Sequence, residues 1–78
     1  MKKIRRIFHE ILGIEEERVT DSLSYQSCEK WDSIRHLKLV AAFEKEFGIE
    51  LETDDIVAME NVGKIKEILR RHHVRELD

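Results

Sequence analysis

The sequence predicts an all-α fold, a four-helix bundle with a long loop between the first two helices and a short third helix. Three observations carry this expectation. The 78 residues contain no proline and only three glycines, so little interrupts a helix. Charged residues make up 40% of the chain and aromatics 6%, a mixture rich in the helix formers Glu, Lys, Arg and Leu. That composition also suits a disordered chain. The third observation decides between the two: apolar residues recur at helical spacing, about 3.6 residues per turn, in several segments.

The first helix is expected over residues 2–12. Ile4, Ile7, Phe8, Ile11 and Leu12 fall at i, i+3, i+4, i+7 and i+8, one continuous apolar stripe. Gly13 then suits the left-handed position that ends a helix. Over residues 13–32 the period fails. Glu15, Glu16 and Glu17 are placed to form one turn, with Val19 and Leu23 as buried anchors. Thr20, Asp21, Ser22, Ser24 and Ser27 are loop formers, because their side chains compete for backbone hydrogen bonds. A connection this long inside a small domain is unusual, and such loops are either functional or disordered.

The second helix is expected over residues 33–47, capped by Asp32 or Ser33 and closed by Gly48. Leu39, Val40, Phe43 and Phe47 form its core stripe. Ile34, Leu37 and Ala41 form a second apolar strip, rotated away from the first. A short third helix is expected over residues 54–59, capped by Thr53 or Asp54 with Ile56 inward. The fourth is expected over residues 61–72, with Val62, Ile65, Ile68 and Leu69 facing the core. Arg70 and Arg71 in its last turn complement the helix dipole. Val74 to Asp78 is expected to fray.

These 78 residues suffice for one domain near the lower size limit for a self-sufficient core. Cys28 is the only cysteine, which excludes an internal disulfide and suits a reducing compartment, so the expected location is the cytoplasm. No apolar run approaches the roughly 20 residues of a membrane span, and Ile7 to Leu12 is too short and too mixed for a signal-peptide core. Residues 1–30 carry six basic and six acidic groups, residues 31–60 three and eight, and residues 61–78 five and three. The middle third is therefore an acidic surface that steers basic partners toward it, or simply a solvated face. This is the opposite of a nucleic-acid-binding bias. Metal binding is not expected. His72 and His73 are adjacent and point apart on a helix, and His9 and His36 have no evident co-ligands. Cys28 is expected to be structural or incidental, and Trp31 to pack over the loop, the alternative being that it rims a binding surface.

Trp31-Asp32-Ser33-Ile34 joins the long loop to the second helix. Asp32-Ser33-Ile34 resembles the Asp-Ser-Leu signature of the acyl carrier proteins. Most of the chain takes part in the resemblance, from Leu12-Gly13-Ile14 and the loop anchors Val19 and Leu23 to Phe43-Glu44-Lys45-Glu46-Phe47-Gly48-Ile49. The stretch from Ile49 to Leu51, the short third helix and Val62 at the start of the fourth complete it. The resemblance implies a carrier rather than an enzyme. Its cofactor would be 4'-phosphopantetheine, taken from coenzyme A and attached covalently to Ser33 by a phosphopantetheinyl transferase. Asp32 would orient the serine for that transferase. The arm's thiol would hold an acyl group as a thioester for partner enzymes: a loading ligase and downstream acyl-using enzymes. The residues agree with a non-catalytic role, since no glycine-rich phosphate loop and no nucleophile with a base and an orienter are evident. A helix start also favours a phosphate. On local pattern alone, Ser33 reads equally as a plain helix cap.

One feature of this chain departs from the family's pattern. Fatty-acid carriers open their second helix with acidic residues, whereas here Arg35, His36 and Lys38 stand there. Acidity is delayed to Glu44, Glu46, Glu50, Glu52, Asp54, Asp55 and Glu60. That implies a carrier dedicated to a specialised pathway, since charge matching selects partners. The expected partner-facing patch is Ile34, Arg35, Leu37, Lys38 and Ala41, joined by Met59 unless that methionine fills the core; the alternative is that Ile34, Leu37 and Ala41 pack under the long loop. Phe43 and Phe47 are large for an acyl cavity, which implies a short or polar cargo, or none held internally. A monomer is expected, with no membrane insertion and no nucleic-acid partner. The alternatives are an aminoacyl or peptidyl carrier with the same Ser33 chemistry, and a helical interaction module that is never modified.

Overall fold

The computed structural model describes residues 1–75. Helix α1 spans Lys2–Leu12, a single 3-10 turn spans Glu16–Arg18, and α2 spans Ser33–Phe47. Helix α3 spans Thr53–Ala58 and α4 spans Val62–Arg71. Gly13 (φ 69°) and Gly48 (φ 63°) close α1 and α2 in the left-handed conformation that a side chain would strain.

The core forms where the apolar stripes meet. Ile4, Ile7, Phe8 and Leu12 of α1 are buried with Leu39, Val40 and Phe43 of α2 and with Val62, Ile65, Ile68 and Leu69 of α4. Each large apolar side chain buried this way contributes roughly 1.5–3 kcal/mol. Phe8 lies 6.1 Å from Phe43, centroid to centroid, so α1 and α2 pack directly. Charge closes the same seam at its edge, where Glu46 of α2 pairs with Arg6 and Lys3 of α1.

The loop of residues 13–32 is packed rather than loose. Val19, Leu23, Cys28 and Trp31 are all buried. The Arg5 side chain donates to the Val19 carbonyl oxygen. An isolated antiparallel bridge joins Ser24 to Asn61. The Tyr25 N–H donates to Glu60 O at 2.8 Å, and the Val62 N–H to Leu23 O at 3.0 Å. Gly63 permits this approach, since a Cβ there would lie 3.4 Å from Asp21 O and 3.3 Å from Asn61 Oδ1.

Several expectations need correction. Helix α3 starts one residue early, because its cap is Glu52. The Glu52 and Asp55 side chains form a reciprocal capping box, which supplants Thr53 or Asp54. Asn61 caps α4 and accepts from the Lys64 N–H, so the helix proper begins at Val62. Val74 does not fray: it is 8% exposed and its N–H bonds the Leu69 carbonyl. Arg75 is exposed, and the rest of the expected frayed segment, Glu76, Leu77 and Asp78, lies outside the described residues.

Candidate functional site

Helix α2 begins with a division of labour between two adjacent residues. Asp32 is the cap. Its Oδ1 accepts the Arg35 N–H at 2.8 Å, and its Oδ2 accepts from the Arg35 guanidinium at 2.8 Å. The bond from the Arg35 N–H, more than the guanidinium charge, holds the Asp32 carboxyl below its usual pKa, with desolvation opposing it. Ser33 is thereby released from capping. It is the first helical residue and exposed, and its hydroxyl bonds no group among the described residues. The Ser33 and Ile34 N–H groups, in the first turn, have no helical acceptor. The two cap candidates are thus resolved: Asp32 caps, and Ser33 is free.

What holds this corner in place lies behind it. Trp31 is 2% exposed and sits edge-on to Phe8, with centroids 5.0 Å apart. Its indole N–H donates to His36 Nδ1 at 2.9 Å. An indole nitrogen can only donate, so His36 Nδ1 accepts and the ring proton resides on Nε2. Nε2 then donates to the Ile56 carbonyl oxygen at 2.9 Å. One imidazole therefore ties the end of the loop to the first turn of α2 and both to α3. Trp31 packs as expected. His36, read from the sequence as a surface charge, is instead a half-buried brace. A tryptophan five residues ahead of a histidine, across a helix cap, was its only signal, and a weak one.

Beside Ser33 lies an open cleft of about 590 Å³. Ser24, Tyr25 and Gln26 of the loop form one wall, and Ser33, His36 and Leu37 of α2 another. Ile56 and Val57 of α3, with Met59, Glu60 and Asn61, complete it. Several apolar side chains stay in water here: Val57 is 72% exposed, Ile34 68%, Leu37 60% and Tyr25 40%. Ala41 and Lys38 are exposed as well.

Most of the expected partner patch is therefore brought together at one surface. One member departs from it. Met59 is 1% exposed, so it fills the core beneath the cleft, the alternative role. Arg35 is exposed and pairs with Asp32. Cys28 is a free, buried thiol. No group of three or more His, Cys, Asp or Glu side chains is arranged for a metal among the described residues. His72 pairs with Asp55 at 2.7 Å instead.

This geometry meets an independent finding. Residues 2–69 match the family model described as a phosphopantetheine attachment site. The chain belongs to the acyl carrier protein family. It is 35% identical over 66 residues to the acyl carrier protein of Zymomonas mobilis subsp. mobilis, covering 85% of this chain and 81% of that protein. It is 35% identical over 71 residues to the acyl carrier protein of Rhodopseudomonas palustris strain TIE-1, covering 91% of this chain and 90% of that one. Members of the family are carriers rather than enzymes, and they bear covalent 4'-phosphopantetheine. The corner at Asp32-Ser33 fits such a group: a free hydroxyl at a helix start, an open cleft beside it, and a rigid brace behind it.

Proposed function

We propose that Ser33 carries the 4'-phosphopantetheine arm and that the protein holds acyl intermediates on it as thioesters, for presentation to partner enzymes. The observation that carries this reading is the release of Ser33 from capping. A serine that capped α2 would have its hydroxyl bonded to the backbone. Here Asp32 does that work, and Ser33 offers an exposed oxygen at the rim of a cleft. When bound, the arm supplies a thiol for thioester exchange. Asp32, held ionised by the Arg35 N–H, marks the serine for the transferase. The Trp31–His36–Ile56 brace keeps the attachment point from drifting, which matters because a transferase must align one hydroxyl with coenzyme A.

The interior supports a cargo kept at the surface. Phe8, Trp31, Leu39, Phe43 and Met59 are each at most 2% exposed, and they fill the space between the helices. The cleft offers Leu37, Ile56 and Val57 to an apolar group, and Ser24, Gln26, Glu60 and Asn61 to a polar one. That polar lining favours a second reading, an aminoacyl or peptidyl carrier using the same serine. The partners would be a phosphopantetheinyl transferase, a loading ligase and enzymes that use the loaded arm, in a specialised pathway. No helix among the described residues is long and apolar enough to cross a membrane, and the free Cys28 thiol suits the cytoplasm.

The test is intact-protein mass after incubation with coenzyme A, magnesium and a broad-specificity phosphopantetheinyl transferase. Wild type should gain one phosphopantetheine and Ser33→Ala none, with both proteins folded. No gain by folded wild type with several transferases would favour the unmodified interaction module.

A further inference from the structure

The outward face of α2 has a polarity that its acidic surroundings conceal. Ile34, Leu37, Lys38, Ala41 and Lys45 recur at i, i+3, i+4, i+7 and i+11, so they line one side of the helix. All five are exposed. The helix contains two acids, and both are turned away and occupied. Glu44 Oε2 accepts the Leu51 N–H at 2.8 Å, and Glu46 pairs with Arg6 and Lys3 of α1. Asp32, at the start of the helix, is committed to Arg35. Lys38 and Lys45 pair with no carboxylate among the described residues. What remains facing outward is an apolar strip flanked by two free ammonium groups.

We propose that the enzymes that handle the Ser33 arm meet this face with an apolar pocket rimmed by carboxylates. This rests on Ser33 carrying the arm, and it names the chemistry of the partner. Ile34 adjoins Ser33, and Leu37 lines the same cleft, so a pocket that grips these two side chains brings the serine to its edge. A basic rim would set like charges against Lys38 and Lys45 and strip their hydration without return, whereas an acidic rim complements them and speeds encounter. Glu60 lines the cleft opposite α2 with Ile56 and Val57 of α3, and it is exposed. Lysines on the α2 side and an acid across the cleft set the partner's carboxylates over α2. That fixes the orientation of docking.

The experiment compares two phosphopantetheinyl transferases chosen for their carrier-binding grooves, one rimmed by carboxylates and one by lysine and arginine. For wild type, kcat/KM of arm transfer should be about tenfold higher with the acid-rimmed enzyme, and that preference should shrink as salt rises. The double variant Lys38→Glu, Lys45→Glu should reverse the preference. Ile34→Ser should slow both enzymes alike, which separates apolar grip from charge. Preference of wild type for the basic-rimmed enzyme, equal rates with both, or a double variant within twofold of wild type would overturn the polarity while leaving Ser33 modified. Failure of both enzymes to modify folded wild type would overturn the carrier reading itself, and this one with it.

Discussion

Helices α1 and α2 are built from similar residues but spend them differently. Helix α1 has one apolar stripe and commits all of it: Ile4, Ile7, Phe8 and Leu12 are buried, and Ile11 packs against them. Helix α2 has two. Leu39, Val40 and Phe43 are buried, while Ile34 and Leu37 are 68% and 60% exposed. Helix α2 thus carries apolar surface beyond what the core needs, beside an exposed serine, and the proposed docking face is built on that surplus. Its buried stripe serves stability, its exposed strip is proposed to serve recognition, and each class can be tested.

The largest effect should come from the buried stripe. Phe43→Ala should cost about 3–5 kcal/mol in urea unfolding, as large-to-small changes at closed sites do. A loss within about 0.5 kcal/mol, the surface range, would place Phe43 outside the core. The brace comes next. His36→Ala leaves the Trp31 N–H and the Ile56 carbonyl without their partner, and should cost about 1–3 kcal/mol. Unchanged stability would mean that water or a neighbour replaces the imidazole.

A smaller effect tests the tie between α3 and α4. The hydrogen bond from His72 holds the Asp55 carboxyl below its usual pKa, with burial opposing it and the Glu52 N–H assisting. A depressed folded-state value means that Asp55 stabilises the fold above its unfolded pKa near 3.8, and that this contribution fades as pH falls through the folded value. Asp55→Asn should therefore cost up to about 1 kcal/mol near neutral pH, and the difference from wild type should close in strong acid. A gap that persists unchanged at low pH would contradict the pairing. The smallest effect should come from the exposed strip. Ile34→Ser should leave stability within about 0.5 kcal/mol while slowing arm transfer. A large loss of stability would return Ile34 to the core and remove the contrast between the two helices.

How much of this was legible follows from the range of the signals. The bounds of α1 and α2 could be read because period and caps are local: Gly13, Gly48 and the Asp32-Ser33 pair lie next to the stripes they end. The exposed strip of α2 was legible for the same reason, as a second apolar row on one helix. The choice between Asp32 and Ser33 as cap was not, since both residues suit it and only geometry assigns the bond. Helix α3 was misplaced by one residue because a glutamate supplies its cap through a reciprocal bond with Asp55, an arrangement weaker in sequence than the neighbouring Thr53. The brace and the Ser24–Asn61 bridge join residues far apart in the chain, and no local period announces such contacts. Met59 and Val74 followed the same logic. Their burial depends on what the rest of the fold lays over them.

Ser33, freed from capping by Asp32, is the proposed attachment point. Trypsin should cut after Lys30 and Arg35, giving a peptide of residues 31–35 in which Ser33 carries the only hydroxyl. Tandem mass spectrometry of the transferase-treated protein should find one phosphopantetheine on that peptide. Modification of the peptide that holds Ser22, Ser24 and Ser27, with residues 31–35 unmodified, would contradict the claim.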